Sequence, residues 1–320
     1  MLFPLQDKTV RTTVRTLAKE QAVRTAVATQ VDPGDRLTFV LADLTADAGW
    51  DAAVTGCDYV LHVASPLGND NPKNPDELII PARDGALRVL RAATKAGVNR
   101  VVMTSSCAAA TPSQPGDEQI IDESLWTDPD AKGLTAYRQS KTLAEMAAWE
   151  FMATYDGPTT LTTILPGAVF GPLLSADTLG SVQVIGRLLQ GRAPGTPRIG
   201  LEIVDVRDVA EMHILALTVT QAAGQRFIAV SEFMWMTEVA QTLNARLGSA
   251  AGKVPTRTLP DFLLRLLSRF DPSLHSITAM LGRKFRHTSA KAQHLLGWQP
   301  RSAVETVIAC AESLIALNQI

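Results

Sequence analysis

The sequence has few of the features that mark a disulfide-bonded, metal-binding or nucleic-acid-binding protein. Cysteine occurs only three times in 320 residues, as Cys57, Cys107 and Cys310, and this scatter excludes a disulfide framework and a zinc motif. The five histidines show no ligand spacing, so no metal site is expected. The 30 Lys and Arg residues do not exceed the 32 Asp and Glu residues, so no basic surplus is available to bind a phosphate backbone.

Long hydrophobic runs are lacking as well. No stretch reaches the roughly 18 apolar residues that a membrane span needs, and the first residues do not have the pattern of a signal peptide. The chain still has ample material for a core, since 46% of its residues are hydrophobic and 19% are charged, which excludes disorder. We therefore expect a cytoplasmic protein that acts on a small molecule and binds neither nucleic acid nor membrane.

Short apolar runs alternate with longer helical patterns through the first half of the chain. This alternation predicts βαβ units and hence an α/β fold with a doubly wound parallel sheet. After Pro166 the pattern loosens and predicts a smaller, mainly helical C-terminal lobe. The predicted strands are 9–14, 37–41, 59–63, 100–104, 161–165, 201–204 and 226–230, and the main predicted helices are 18–28, 76–96, 135–155, 206–220 and 302–317.

Tyr137 and Lys141 are the most informative pair of residues. They lie four apart in a predicted helix, so their side chains share one face. A free phenol has a pKa of about 10, and an ammonium group one turn away lowers that pKa by favouring the phenolate. Such a tyrosine can donate a proton to a carbonyl oxygen and accept one in the reverse reaction. An amphipathic helix with a surface lysine would give the same pair, so the pair alone is a weak signal.

Ser106 strengthens the pattern because it follows the predicted strand 100–104. Side chains at the carboxyl ends of parallel strands face the ligand crevice. A hydroxyl there can bind a substrate carbonyl and stabilise the oxyanion that develops on it. For Ser106 taken alone, a polar strand end that caps the next segment is the preferred interpretation.

Together these residues resemble the short-chain dehydrogenase/reductase family, in the extended branch that includes the NAD-dependent epimerases and dehydratases. The resemblance spans nearly the whole chain, and the phrases TVRT, HVASP and SKTLAEMAAW are similar to those of dihydroflavonol-reductase-like carbonyl reductases. The family implies a Rossmann-like sheet and hydride transfer between NADP(H) and a carbonyl or alcohol. It implies that Tyr137 donates the proton, that Lys141 lowers its pKa and holds the nicotinamide ribose, and that Ser106 orients the carbonyl.

The resemblance also implies a set of cofactor contacts and a division into domains. Asp43 and Leu44 look like the family's adenine-contacting pair. The other implied contacts lie at two strand ends beside the dinucleotide, at Val63, Ala64, Ser65, Pro166 and Val169. The implied nucleotide-binding domain covers 1–165, with 201–230 returning to its sheet. The implied substrate lobe is made of 166–200 and 231–320.

Basic residues after the first predicted strand indicate which dinucleotide is preferred. Dehydrogenases of the family that prefer NAD place an acidic residue near this position to hold the ribose hydroxyls. Arg15 stands here instead, and an arginine can bind a 2′-phosphate through two hydrogen bonds. Lys19, four residues later, can add a second cation if a helix begins there. These residues predict a preference for NADP(H), with NAD(H) also possible; an ordinary solvated basic face is the alternative.

The family's glycine-rich loop, G-x-x-G-x-x-G, is absent. It belongs between the first strand and first helix, where backbone amides bind the pyrophosphate. Only MLFPLQDKT precedes the VRTTVR stretch, and it contains no glycine, so the first strand of the sheet is expected to be missing too. Three explanations stay open: a truncated reading frame of an intact enzyme, a natural variant that binds cofactor poorly, or a non-catalytic binding protein. The retained Ser106, Tyr137 and Lys141 favour the first.

A nucleotide-sugar epimerase or dehydratase is the main alternative activity. Dehydratases of the family carry an Asp-Glu pair after the active-site threonine, whereas Ser106 is followed by Cys107 and three alanines. This difference argues against dehydration. The substrate itself is not predicted, and the expected state is a monomer or a homodimer, since the family often dimerises through the helices predicted at 76–96 and 135–155.

Overall fold

The computed structural model describes residues 8–66, 72–112, 119–175, 180–192, 194–270, 278 and 280–319. Within them, the strands are β1 (Val10–Val14), β2 (Leu37–Leu41), β3 (Tyr59–His62), β4 (Arg100–Thr104), β5 (Ile120–Ile121), β6 (Thr160–Pro166), β7 (Ala168–Phe170), β8 (Gly200–Asp205), β9 (Arg226–Ala229), β10 (Glu232–Trp235) and β11 (Arg286–His287). The helices are α1 (Glu20–Ala28), α2 (Trp50–Val54), α3 (Asp76–Lys95), α4 (Ala136–Ala153), α5 (Val182–Leu189), α6 (Val206–Thr218), α7 (Met236–Leu247), α8 (Asp261–Leu267), α9 (Ala290–Leu296) and α10 (Ala303–Ala316).

The main sheet has four parallel strands in the order β3-β4-β6-β9. Its central strand β6 is buried along almost its whole length, as expected for a parallel strand that is covered on both faces. Leu90 of α3 and Ala148 of α4 pack with β4 and β6 on one face. Met212 of α6 and the fully buried Trp298 pack with β4, β6 and β9 on the other. The predicted α/β fold with a doubly wound parallel sheet is confirmed.

A separate parallel pair, β1 and β2, lies N-terminal to this sheet, in a register that places Val14 opposite Leu41. Among the described residues, β1 pairs only with β2, and β3 pairs only with β4. The gap in the hydrogen-bonded ladder therefore falls between β1 and β3, which is where the strand expected to be missing would lie. The Arg11 side chain of β1 reaches the carboxyl end of α2, where its Nη1 donates to Thr55 O at 2.6 Å.

A second sheet corrects one part of the predicted domain division. β8 runs antiparallel to β10 and parallel to β7, so residues 200–205 do not return to the main sheet; of the predicted segment 201–230, the strand that does so is β9. A strand followed by a helix, as in 201–220, has the same hydrophobic spacing in either sheet. The spacing therefore does not indicate which sheet the strand joins. The chain crosses between the sheets at Gly167, where a Cβ would lie 2.2 Å from Glu202 O, so only glycine fits.

Helices α5, α7 and α10 pack against this second sheet and form the core of the C-terminal part. The lobe predicted to be mainly helical thus contains a three-stranded sheet as well. No helix in the described ranges is long and apolar enough to span a bilayer.

Candidate active site

Helix α4 places Tyr137 and Lys141 one turn apart, as predicted. The helix begins where the Thr135 hydroxyl accepts a hydrogen bond from the Arg138 amide at 3.3 Å, a standard N-cap. Tyr137 is half-buried in the first turn, and Lys141 is 8% exposed. The Lys141 ammonium forms no hydrogen bond or ion pair with any residue that the structure describes. A buried cation without a protein acceptor is costly unless a ligand satisfies it.

The surroundings of Lys141 determine its charge. Burial lowers the pKa of Lys141 to about 8, and the negative charge of Glu145 on the next turn acts in the opposite direction. His62, the last residue of β3, faces the same region. Burial and the Lys141 ammonium together lower the pKa of His62 to about 4, so this histidine is neutral at neutral pH.

Ser106 sits directly beyond β4 and has the capping contact that the sequence favoured. Its Oγ accepts a hydrogen bond from the Ala108 amide at 3.1 Å and begins a short 3₁₀ turn, Cys107–Ala110. Accepting this bond leaves the hydroxyl proton free to donate, so capping and carbonyl binding are compatible. The same segment is attached to α4, because Arg138 Nη2 donates to Thr111 O at 2.9 Å. The three predicted catalytic residues therefore lie on two elements that are packed together.

The residues predicted to bind the adenosine end lie at the ends of β1 and β2. Arg15 is exposed beyond β1, and its positive charge contributes to a lowered pKa of Asp43, whose main cause is hydrogen bonding from the Thr45 amide and hydroxyl. Lys19 is exposed on the 3₁₀ turn before α1. Within the described chain, neither Arg15 nor Lys19 has a hydrogen-bonding or ionic partner. Leu44 is partly buried and packs near Gly85 of α3, and its contact with the adenine stays a prediction.

The remaining predicted contacts lie at strand ends of the main and second sheets. Val63 and Ala64 are exposed beyond β3, and Ser65 is half-buried. Pro166 is the buried last residue of β6 and pairs with Ala229, whereas Val169 lies in β7 opposite Val204. Their contacts with a dinucleotide stay predictions.

These residues suit the two ends of NADP(H), but not the pyrophosphate between them. At the nicotinamide end, the buried and unpartnered Lys141 ammonium suits ribose hydroxyls. At the adenosine end, the Arg15 guanidinium suits a 2′-phosphate. The sequence has no glycine before Gly34, so the glycine-rich turn that usually holds the pyrophosphate, and that belongs ahead of β1, is not found in it. No group of His, Cys, Asp and Glu in the described ranges is arranged to hold a metal ion.

Two charged residues of the site were missed by the sequence reasoning. Glu145 and Arg226 form a buried ion pair directly beneath the active-site elements, with Nε 2.9 Å from Oε1. A signal for Glu145 was present, because it follows Lys141 by one helical turn on an otherwise small and apolar stripe. Arg226 had no such signal, since it lies 81 residues further along the chain.

Comparison with known protein families identifies the class of the protein. The profile of the NAD dependent epimerase/dehydratase family matches residues 5–229. The chain belongs to this family. Anthocyanidin reductase ((2S)-flavan-3-ol-forming) of Vitis vinifera is 34% identical over 264 residues, which are 77% of this chain and 75% of that protein. Cinnamoyl-CoA reductase CAD2 of Medicago truncatula is 38% identical over 65% of this chain and 64% of its own length.

Solved structures agree with this assignment. The yeast methylglyoxal/isovaleraldehyde reductase complexed with NADPH superposes with a TM-score of 0.80 at 25% identity, covering 98% of this chain and 94% of the other. The predicted membership of the extended branch, with dihydroflavonol-reductase-like relatives, is confirmed. The predicted enzyme class, an NADP(H)-dependent reductase, is also confirmed.

Proposed function

We propose that this chain reduces the carbonyl group of a largely apolar small molecule to an alcohol, with NADP(H) as the cofactor. The observation that carries this proposal is the Lys141 ammonium, which is buried and without an acceptor in the described chain, one turn from Tyr137. The strand end that carries Ser106 packs against the same helix.

Each of the three side chains has one task in the proposed reaction. The Tyr137 hydroxyl gives its proton to the carbonyl oxygen while the carbonyl carbon is reduced. The Ser106 hydroxyl donates a hydrogen bond to the same oxygen and fixes its position, since its own oxygen is occupied by the Ala108 amide. Lys141 holds ribose hydroxyls and favours the phenolate that remains. The chemistry that NADP(H) supplies when bound is the hydride.

For the substrate, we propose an aldehyde or ketone attached to a planar apolar group. The yeast neighbour, a methylglyoxal/isovaleraldehyde reductase, supports the aldehyde, and the names of two relatives, an anthocyanidin reductase and a cinnamoyl-CoA reductase, support the planar apolar group. In this chain, Leu173 and Leu174 follow β7 after Gly171 and Pro172; Leu173 packs on the lobe core and Leu174 is 48% exposed. An exposed leucine shortly after the strand that carries Val169 is suited to an apolar substrate. We also propose a cytoplasmic location and a monomeric or homodimeric state.

The test is NADPH oxidation by the purified chain with an aromatic aldehyde, an aliphatic aldehyde and a nucleotide sugar. We expect turnover with the aromatic aldehyde. Tyr137→Phe should lower kcat by roughly a hundredfold or more, since it removes the proton donor. The matched control is Tyr155→Phe, which removes a phenol just beyond the end of the same helix, one that donates to Thr159 Oγ1 at 3.4 Å.

Three results would contradict the proposal. Equal activity of Tyr137→Phe and Tyr155→Phe would remove Tyr137 from the chemistry. Conversion of the nucleotide sugar without net NADPH oxidation would favour the epimerase alternative. A folded chain that binds no NADPH and oxidises none would favour the non-catalytic binding protein.

A further inference from the structure

A buried carboxylate connects the parts of the site. Glu145 is fully buried one turn after Lys141, so both side chains leave the same face of α4. Glu145 Oε2 accepts a hydrogen bond from Ser105 Oγ at 2.6 Å, and Oε1 accepts from Thr163 Oγ1 at 2.7 Å and from Arg226 Nε at 2.9 Å. One side chain thereby joins the residue after β4, and strands β6 and β9, to the helix that carries Tyr137.

The cation that pairs with this carboxylate is also fixed on several sides. Arg226 Nη1 donates to Glu123 O at 2.6 Å and to Leu125 O at 3.0 Å, and its guanidinium carbon lies 3.5 Å from the centre of the Trp126 ring. Replacing a buried ion pair by apolar side chains is often neutral or stabilising, so stability alone is a poor reason for this arrangement. The pair has a more specific consequence for the strand end, because Ser105 is the residue next to Ser106.

The pair also sets the charge environment of Lys141. From its own helix, Glu145 acts on the Lys141 ammonium, and Tyr137 lies one turn earlier; from β3, His62 is within reach of the same charge. Burial raises the pKa of the Cys107 thiol, and the charges of Glu202, Glu123 and Glu145 act in the same direction, so this thiol is neutral. None of the charged side chains of α3, which packs along α4, is buried. Glu145 is the carboxylate whose charge acts on the ammonium, and it acts against the burial that lowers the pKa of Lys141 to about 8.

We propose that Glu145 is a positioning residue of the reductase site: it ties the strand end that carries Ser106 to the helix that carries Tyr137, and it supplies the negative charge that faces the Lys141 ammonium. The catalytic part of this inference rests on the proposed function, whereas the charge relation between the two side chains does not. The two parts are therefore tested separately.

The charge relation is tested on the full chain without cofactor, by following the NMR signal of the Lys141 side chain against pH. The signal is assigned by its loss in Lys141→Arg. Glu145→Gln keeps the shape and the hydroxyl partners but removes the charge. It should lower the titration midpoint of Lys141 by about one pH unit, because an opposite charge within one helical turn is lost. Glu145→Asp restores a carboxylate and should return the midpoint towards that of the parent.

The positioning part is tested kinetically with Ser105→Ala, which removes one hydrogen bond to Glu145 and no charge. We expect kcat to fall about tenfold with an unchanged KM for NADPH, because the neighbouring Ser106 loses its fixed position. The alkaline limb of the pH profile should stay in place in Ser105→Ala and move to lower pH in Glu145→Gln. Ser268→Ala is the matched control, since this buried serine lies outside the site and donates to Arg265 O.

If Glu145→Gln fails to fold because Arg226 is left unpaired, the double variant Glu145→Gln/Arg226→Met removes both charges and should move the midpoint in the same direction. An unmoved Lys141 midpoint in a folded variant overturns the charge relation. Parent-like kinetics of Ser105→Ala overturn the positioning role. A shifted midpoint in a chain that reduces no carbonyl would instead leave the charge relation intact and refute the proposed function.

Discussion

The two parallel sheets that carry the predicted cofactor residues differ sharply in burial. In β6 of the four-stranded sheet, every residue after Thr160 is buried, and its neighbours include the fully buried Phe227. In β1 of the two-stranded pair, Val14 is the one buried residue, and Val10 is 54% exposed. The residues proposed for proton transfer therefore lie beside buried strands, whereas the residues proposed for the adenosine end lie beside largely exposed ones.

The strand edges between the two sheets extend this contrast. Leu61 of β3 is 45% exposed and Tyr59 is 41% exposed, and β3 is the edge strand of the four-stranded sheet on the side that faces the gap. The two ends of the site therefore rest on different clusters. The proton-transfer end is supported by Glu145 and the main core, while the adenosine end is supported by a smaller cluster around Trp50 and by contacts such as that of Arg11 with α2. Substitutions in one region should therefore leave the other largely unchanged.

A matched pair of leucine substitutions gives the largest expected difference. Leu161 in β6 is 2% exposed and Leu41 in β2 is 48% exposed. Leu161→Ala should lower the free energy of unfolding by about 2–5 kcal/mol, because it leaves a cavity in a packed core. Leu41→Ala should change it by less than about 0.5 kcal/mol. Urea unfolding of both variants is the measurement, and equal losses would show that the two sheets are stabilised alike.

Acid should lower the free energy of unfolding through His62, which lies at the proton-transfer end of the site. Its pKa is lowered from 6.5 in the unfolded chain to about 4 in the folded one, so the unfolded chain takes up the proton first as the pH falls. This group's share of the stability is complete above about pH 6.5 and decreases by about 3 kcal/mol as the pH falls to 4. His62→Gln should flatten that slope in pH-dependent urea unfolding. His294→Gln, at an exposed position, is the control, and parallel slopes in the parent and His62→Gln would refute the assignment.

The features that the sequence could predict are those that depend on local patterns. Alternating hydrophobic runs placed β1, β2, β3, β4 and β6 within one or two residues, because each strand depends on its own local pattern. The spacing of Tyr137 and Lys141 follows from the helix alone. The position of Ser106 follows from the end of its strand.

What could not be predicted depends on contacts between distant segments. The ion pair of Glu145 with Arg226 joins residues 81 apart, and no local pattern indicates it. The burial that sets the charge state of Lys141 is a property of the assembled layers. The sheet that β8 joins is also set by distant segments, because its hydrogen-bonding partners are β7 and β10.

A smaller effect is expected at the adenosine end, where the contrast can be sharpened with the cofactor. Arg15→Ala should weaken NADPH binding by roughly tenfold, since it removes the guanidinium proposed to hold the 2′-phosphate. NADH lacks this phosphate, so its binding should not change. Isothermal titration with both dinucleotides is the measurement, and Arg91→Ala, exposed on α3, is the control. Equal weakening of NADPH and NADH binding would mean that Arg15 acts through the fold of β1 instead.

The smallest effect concerns the attachment of β1 to the rest of the molecule. Arg11 Nη1 donates to Thr55 O at 2.6 Å and to Ala52 O at 3.2 Å, at the carboxyl end of α2, where the helix dipole favours a cation. Because the contact is exposed, Arg11→Ala should lower the global free energy of unfolding by less than about 1 kcal/mol. Hydrogen exchange should nevertheless quicken in the β1–β2 ladder and stay unchanged in β6, since the contact fastens the two-stranded pair alone. Lys95→Ala, which removes an exposed ion pair with Asp51 on the neighbouring helix, should quicken neither. Faster exchange in β6 after Arg11→Ala would show that the two sheets open together, and the separation between them would no longer hold.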